Sequence, residues 1–243
     1  MRREQRLTGS ADDSYLFRFP LTQDGVNQGN LPESQYIGKL RNYGSTGYTA
    51  NFDDNLVFGT TYGEMAHIHA GCADKLVSLI DYNSLDLGVW MNANDFELNL
   101  DFYFSSYRGY QQIFEMMRNP SYMSASNYAI GFDGRWLNNN FGYISYNGTN
   151  SPTIELKAST STYVTGAWAR FNVVKGFGNL TITYTRLDNE TILSTKTVTA
   201  PTFVTGKMPR YLTLFGYYLE GSYANNGTRY TIGATKNFYM KKL

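Results

Sequence analysis

The sequence predicts an all-β protein built as an antiparallel β-sandwich. Three observations carry that reading. Apolar and polar residues alternate with a period of two in segment after segment, and clusters of Gly, Asn and Asp separate those segments as turns. Helical periodicity is nearly absent.

Taken in order, residues 1–13 are polar and aperiodic and read as an N-terminal arm. Tyr15 to Leu21 opens the domain as an apolar strand ended at Pro20, because proline cannot donate to a ladder. Thr22 to Gly47, rich in Gly and Asn, reads as loops around a short strand at Tyr36 to Leu40. Met65 to Leu85 is ambiguous: the stretch after Cys72 suits a short helix or a strand. The clearest strand is Asp95 to Ser105, where Phe96, Leu98, Leu100, Phe102 and Phe104 alternate with Glu97, Asn99, Asp101, Tyr103 and Ser105. That alternation predicts one buried face.

Further strands are expected at Gln111 to Met117, Tyr128 to Phe132 and Phe141 to Tyr146, the last after a loop from Asp133 to Asn140. Trp168 to Val174 places Ala169, Phe171 and Val173 on one face. Gly176 to Asn179 then turns the chain, and Leu180, Ile182 and Tyr184 continue on the returning strand. A second turn at Asp188 and Asn189 follows, and Tyr211 to Tyr218 and Arg229 to Ala234 complete the series. No internal repeat and no second domain is visible, so residues 14–243 are expected to form one sandwich, a size such folds reach as one domain.

Composition narrows the function classes. Lys and Arg number 21 against 20 Asp and Glu, a formal net charge of +1, so the clustered basic face that a nucleic acid needs is not expected. Charged residues are only 17% of the chain, and Tyr, Asn, Ser, Thr and Gly take their place, a surface suited to lasting contacts or sugar recognition. The single cysteine, Cys72, cannot form an internal disulfide, which favours assembly in a reducing cytoplasm. The start of the chain lacks the apolar run of a signal peptide, and no stretch approaches the ~18 apolar residues of a membrane helix. Asn-x-Ser/Thr sequons at Asn147, Asn179, Asn189 and Asn226 are read as exposed turns rather than as glycan acceptors.

The order of these pieces resembles the laminin-G / concanavalin A-like lectin superfamily. The carrying segments are Leu16-Phe-Arg-Phe-Pro-Leu21, Asp95-Phe-Glu-Leu-Asn-Leu-Asp-Phe-Tyr-Phe104 and Tyr128-Ala-Ile-Gly-Phe132. Gly166 to Val174 with Leu180 to Tyr184 is similar to the family's unit of a tryptophan, an alternating strand, a hairpin and a second strand. Tyr230 to Tyr239 is similar to its last strands. The resemblance spans roughly residues 14–243 and implies a concanavalin A-like jelly roll, a superfamily that hosts enzymes, calcium-dependent receptors, sugar binders and structural modules.

The family's endoglucanases carry Glu-x-Asp-x-x-Glu on a cleft-facing strand. Glu97 and Asp101 are the nearest match, about 13 Å apart along a strand. A retaining pair needs roughly 5–5.5 Å and an inverting pair roughly 6.5–9.5 Å, and Asn99 between them has no carboxylate, so no catalytic residue is expected. His67 and His69 share a strand face near Cys72 without a further histidine, and read as structural rather than as a zinc site. No cofactor is expected: Asp12, Asp13, Asp53, Asp54 and Asp133 lie in or near loops that could offer calcium oxygen ligands, but they follow no calcium-loop pattern.

Glycan contacts are expected from loop aromatics beside amides. Trp136 with Asn138, Asn139 and Asn140 forms one group, and Tyr217, Tyr218, Tyr223 and Asn225, with Asn226, forms the other. The same rings could instead pack under loops or at a subunit interface. The expectation is a non-enzymatic virion structural protein, a fibre, decoration or tail component of a bacteriophage, made in the host cytoplasm. Its expected partners are other virion proteins, further copies of itself and host-surface glycans, with neither nucleic acid nor membrane insertion. The alternative is a free carbohydrate-binding module of a secreted protein.

Overall fold

A computed structural model describes residues 14–19, 39–41, 49–51, 56–59, 64–67, 78–81, 86–104, 114–117, 128–132, 140–145, 154–157, 166–203, 211–214 and 233–243. In chain order the elements are β1 (Tyr15–Phe19), β2 (Lys39–Arg41), β3 (Thr49–Asn51), β4 (Leu56–Gly59), β5 (Glu64–His67) and β6 (Ser78–Asp81), then a helix, α1 (Leu87–Ala93). They continue as β7 (Phe96–Phe104), β8 (Phe114–Met117), β9 (Tyr128–Phe132), β10 (Asn140–Ser145), β11 (Ile154–Lys157), β12 (Trp168–Gly176), β13 (Asn179–Arg186), β14 (Thr191–Thr199), β15 (Tyr211–Leu214) and β16 (Gly233–Lys242).

Among the described residues the strands form two antiparallel sheets, and the fold is an antiparallel β-sandwich. The first sheet runs β14-β13-β12-β7-β16-β5-β4, and β1 also pairs with β16. The second runs β11-β10-β9-β8-β15-β6-β3-β2. The period-two pattern decides which face of the first sheet is covered. Phe96, Leu98, Leu100 and Phe102 on β7, Ala169, Phe171 and Val173 on β12, and Leu180, Ile182 and Tyr184 on β13 are all buried on the core face. Phe102 stacks on Tyr184 with ring centroids 5.7 Å apart, and Phe17 stacks on Phe238 at 5.1 Å. Burying such side chains contributes about 1.5–3 kcal/mol each.

The β12–β13 hairpin is the one read from the sequence. Gly176 pairs with Asn179 across a two-residue turn in which Phe177 and Gly178 both have positive φ, at 51° and 74°. That is the primed geometry whose twist matches flanking strands. Phe177 is fully exposed, so its ring gains nothing from burial while its backbone sits in a left-handed conformation. Asn179 and Asn189, at two of the expected exposed turns, are indeed exposed.

Several findings resolve or differ from the sequence reading: among them, β3, β4 and β11 had no predicted counterpart, and β16 continues to Lys242, past the Ala234 at which its strand was expected to end. The described part of the ambiguous segment holds strands, β5 and β6, with no helix, and the helix comes later at Leu87–Ala93. Gly88 and Val89 give α1 weak intrinsic propensity, so its support is tertiary. Asp86 caps its start, accepting from the Val89 N–H at 2.9 Å. Lys175 Nζ from β12 caps its end, donating to the carbonyls of Met91 and Asn94 at 2.9 and 2.7 Å. Strand β14 had no predicted counterpart, because Thr191 to Thr199 lacks a clean alternation. Finally, the middle of β7 is buried on both faces, since Asn99 and Asp101, opposite the apolar face, are each 1% exposed.

The turn geometry makes a direct prediction. Phe177→Asn should raise the stability of the fold by about 1 kcal/mol, read as a higher urea midpoint, because Asn tolerates the left-handed conformation and no buried contact is lost. A lower midpoint would contradict this account of the turn.

Candidate functional site

The face of the first sheet opposite the core carries a polar and aromatic array. Successive residues of a strand point to opposite faces, so the same register that buries Leu98, Leu100, Phe171 and Val173 turns Glu97, Asn99, Asp101, Tyr103, Trp168, Arg170 and Asn172 the other way. From β16, Lys236, Asn237, Tyr239 and Lys241 join them, and β1 adds Tyr15 and Arg18.

A bulge builds the centre. Lys236 pairs with Asp101 and Tyr239 pairs with Asn99, so β16 holds one residue more than β7 between these pairs. Asn237 takes the irregular position with φ 52°, a conformation that Asn tolerates better than most residues. Its Nδ2 donates to Asp101 Oδ2 at 2.8 Å, while its carbonyl accepts from Asn99 Nδ2 at 2.9 Å. Arg170 closes on the same carboxylate from the other side: Nε donates to Oδ1 at 2.7 Å and Nη2 to Oδ2 at 2.9 Å. The side chain of Arg170 is 42% exposed, whereas that of Asp101 is 1% exposed. A buried carboxylate is tolerated because its oxygens are engaged by this fork and two amides.

A second carboxylate is bound one step along. Glu97 Oε1 accepts from Asn172 Nδ2 at 2.8 Å and from Tyr239 Oη at 2.9 Å, and Oε2 meets Lys241 Nζ at 2.8 Å. Partial burial alone would raise the Glu97 carboxyl, but the hydrogen bonds from Lys241, Tyr239 and Asn172 outweigh it and hold the group below its ordinary value. Its partners move the other way. Burial first, and then the bond to Glu97, push the Tyr239 hydroxyl up, so it stays a donor. The bond to Glu97 likewise raises Lys241.

Aromatic rings flank these carboxylates. Trp168 lies against Tyr103, with centroids 5.8 Å apart, and carries Lys236 Nζ 4.1 Å from its ring centroid. Tyr239 meets Tyr15 edge-on at 5.5 Å, and Arg18 stands 5.0 Å from the Tyr15 ring centroid. One polar atom is left over. Asn99 Oδ1 is buried without a hydrogen-bond partner, an omission that costs about 1–3 kcal/mol. Chemically, the face offers rigid hydrogen-bonding groups between half-buried rings. Its carboxylates are both engaged by cations.

The loop residues expected to contact glycans, Trp136, Asn138, Asn139, Tyr217, Tyr218, Tyr223 and Asn225, lie outside the described residues. Asn140 begins β10 and pairs with Lys157, and its side chain is outside the description. His69, Cys72, Asp12, Asp13, Asp53, Asp54 and Asp133 also lie outside it. Among the described residues no group of three or more His, Cys, Asp or Glu is placed to hold a metal ion. The sequence singled out Glu97, Asn99 and Asp101 only as a failed catalytic triplet. Their structural partners come from β12 and β16, and no local pattern in the sequence announces that register.

No protein-family model matches the chain, and a search of curated proteins finds no match. Solved structures do resemble it. Lectin II from Ulex europaeus aligns at 12% identity and a TM-score of 0.45, over 79% of this chain and 89% of its own. A legume lectin-like domain from Entamoeba histolytica aligns at 11% and 0.41, over 79% and 82%. The carbohydrate-binding module CBM66 from Bacillus subtilis aligns at 14% and 0.39, over 81% and 96%. The structural neighbours are thus legume-lectin and lectin-like folds, a likeness that says nothing about which residues of this chain bind.

The network yields two predictions. Asp101→Ala, which strands Arg170 and frees the bulge, should cost about 3 kcal/mol in urea unfolding, the low end for a broken buried pair because Arg170 is partly exposed. Glu97→Gln tests the second carboxylate by its pH dependence. A lowered carboxyl contributes stability above its ordinary value of 4.5 and loses it as the pH falls through the folded-state value. The variant should therefore be about 1 kcal/mol less stable than the parent at pH 7, and the gap should close as the pH falls below that value. A gap that stays constant from pH 7 to pH 3 would show that Glu97 is not held as a bound carboxylate.

Proposed function

We propose that the chain is a non-catalytic carbohydrate-binding β-sandwich whose outer first-sheet face is the contact surface. The observation that carries this reading is the placement of half-buried rings, Trp168, Tyr103, Tyr239 and Tyr15, around a fixed set of amides and charges on one face. A sugar ring presents C–H groups to an aromatic face and hydroxyls to amides, carboxylates and guanidinium, and this face holds both kinds of partner together. Its groups are bound to one another in the free protein, so little side-chain freedom remains to be lost on binding. The engagement of Glu97 and Asp101 by cations favours recognition over catalysis, since neither is left to act as a general acid. The loop groups around Trp136 and Tyr217 are further contacts of the same proposal.

A second reading is a structural component of a bacteriophage particle assembled with copies of itself and other virion proteins, whose contacts would cover exposed apolar side chains. Phe177 stands fully exposed at the tip of the β12–β13 hairpin, and Ile192 is 62% exposed on β14 at the end of its sheet. Deleting residues 1–13 should then leave the fold intact but reduce the oligomer mass seen by light scattering. An unchanged mass would remove the arm from assembly.

Binding to a panel of immobilised oligosaccharides tests the first reading. At least one should be retained, and Trp168→Ala should weaken it tenfold or more, about 1.4 kcal/mol, in a variant whose cooperative thermal transition shows that it remains folded. Retention that ignores Trp168 would move the site off this face, and no retention at all would end the carbohydrate reading.

A further inference from the structure

We infer that the ligand of this face is an unbranched oligosaccharide bound in an extended form along β7, with one sugar on the Trp168–Tyr103 ring pair and another on the Tyr239–Tyr15 pair. The inference rests on the carbohydrate reading and adds the length and shape of the ligand. Strand register separates the two pairs. Trp168 lies opposite Tyr103, whereas Tyr239 lies opposite Asn99, further down the same face of β7. Tyr15 lies further still, paired with Lys241, which is itself opposite Glu97. Within the pairs the ring centroids are 5.8 and 5.5 Å apart. Between the pairs, Tyr103 and Tyr239 stand about 14 Å apart at the backbone, and Trp168 and Tyr239 about 16 Å.

That separation decides the class of ligand. A pyranose ring is close in size to the ring on which it stacks, so one sugar covers one pair and falls well short of the other. An extended chain of several sugars reaches both. All four rings are half-buried, and each is carried by a different strand, β12, β7, β16 or β1, hydrogen-bonded to its neighbour. Their spacing is therefore fixed by the sheet and not by loop conformation. The groups in between suit the middle of such a chain. Arg170 and Asn237 stand between the pairs and Asn172 beside the second, all at least partly exposed, and guanidinium and amide groups bond sugar hydroxyls. Once one end is stacked, the second contact becomes intramolecular, so affinity climbs with chain length until both pairs are covered and then levels off.

A single nucleic-acid strand also stacks its bases on aromatic side chains, but it needs a positive groove for its phosphates. Here Asp101 stands between the ring pairs and Glu97 beside the second, and the whole chain is near neutral at +1. A saccharide brings hydroxyls instead, which donate to carboxylates as readily as they accept from amides.

The test uses the full chain and four unbranched series, the cello-, xylo-, manno- and laminari-oligosaccharides, each from the monosaccharide to the hexasaccharide, with a single-stranded DNA oligomer alongside. In at least one series calorimetry should show affinity rising at least tenfold from the disaccharide to the hexasaccharide. Trp168→Ala and Tyr239→Leu each break one ring pair and should reduce that gain to threefold or less. Tyr239→Phe keeps the ring while losing the hydroxyl bond to Glu97, and should preserve the gain. A cooperative thermal transition shows whether each variant is folded, and either ring-breaking variant stands as the test if the other unfolds. Affinity already complete at the mono- or disaccharide overturns the inference while sparing the carbohydrate reading, as does a length gain that survives the loss of either ring. Tighter binding of the DNA than of any saccharide overturns the inference in favour of a nucleic-acid strand. Binding of no saccharide of any length overturns the inference and the carbohydrate reading together.

Discussion

Asp101 is the residue on which the outer face depends. Its carboxylate sits almost without solvent on β7 and is tolerated because hydrogen-bond donors meet it, among them Arg170 from β12 and Asn237 from β16. That one group links three neighbouring strands of the first sheet through their side chains, beside the backbone ladders that already pair them. It also explains the bulge. An extra residue on β16 brings Asn237 into a position where its amide reaches Asp101 and its carbonyl reaches Asn99. Remove the carboxylate and the bulge loses its purpose, Arg170 its fixed direction and Asn99 part of its surroundings.

This arrangement spends stability on placement. A buried ion pair is seldom better for stability than apolar residues of the same shape, and a buried acceptor such as Asn99 Oδ1 without a donor is a direct loss. The apolar face alone, with its stacked Phe102 and Tyr184 and its run of buried Leu, Ile and Phe, explains why the sheet folds. It does not explain why the opposite face is organised to the same degree. Under the proposed recognition role, a guanidinium and several rings held in fixed positions are ready for a ligand before it arrives.

Much of the fold was legible because period-two alternation is a direct image of a half-buried strand. β7, β9, β12 and β13 follow it closely, and the Phe177–Gly178 turn sits where a Gly-rich break interrupts it. Helix α1 was not legible, since it is short, carries Gly88, Val89 and Asn92 as weak helix formers, and takes its caps from Asp86 and the distant Lys175. Strand β14 was hidden because Thr191 to Thr199 lacks a clean period-two alternation, as suits a mostly exposed strand at the end of the described sheet. The site was legible only as a list of parts. Glu97, Asn99 and Asp101 stood out on one strand, but their meaning depends on residues 69 to 144 positions away, brought alongside by sheet register. Sequence reasoning looked for glycan contacts in aromatic loops that lie outside the described residues; the described geometry adds aromatic rings and amides assembled on a sheet face.

Three tryptophans, Trp90, Trp136 and Trp168, make the most direct measurement possible. Trp90 belongs to α1, Trp136 to the loop favoured by sequence, and Trp168 to the outer face. The protein labelled with fluorotryptophan would give a fluorine resonance for each, assigned by single substitutions and followed as a bound oligosaccharide is titrated. The account predicts that the Trp168 resonance moves furthest, with saturation at the same concentration as binding seen by calorimetry. Movement of Trp136 with Trp168 unchanged would contradict it and return the site to the loop.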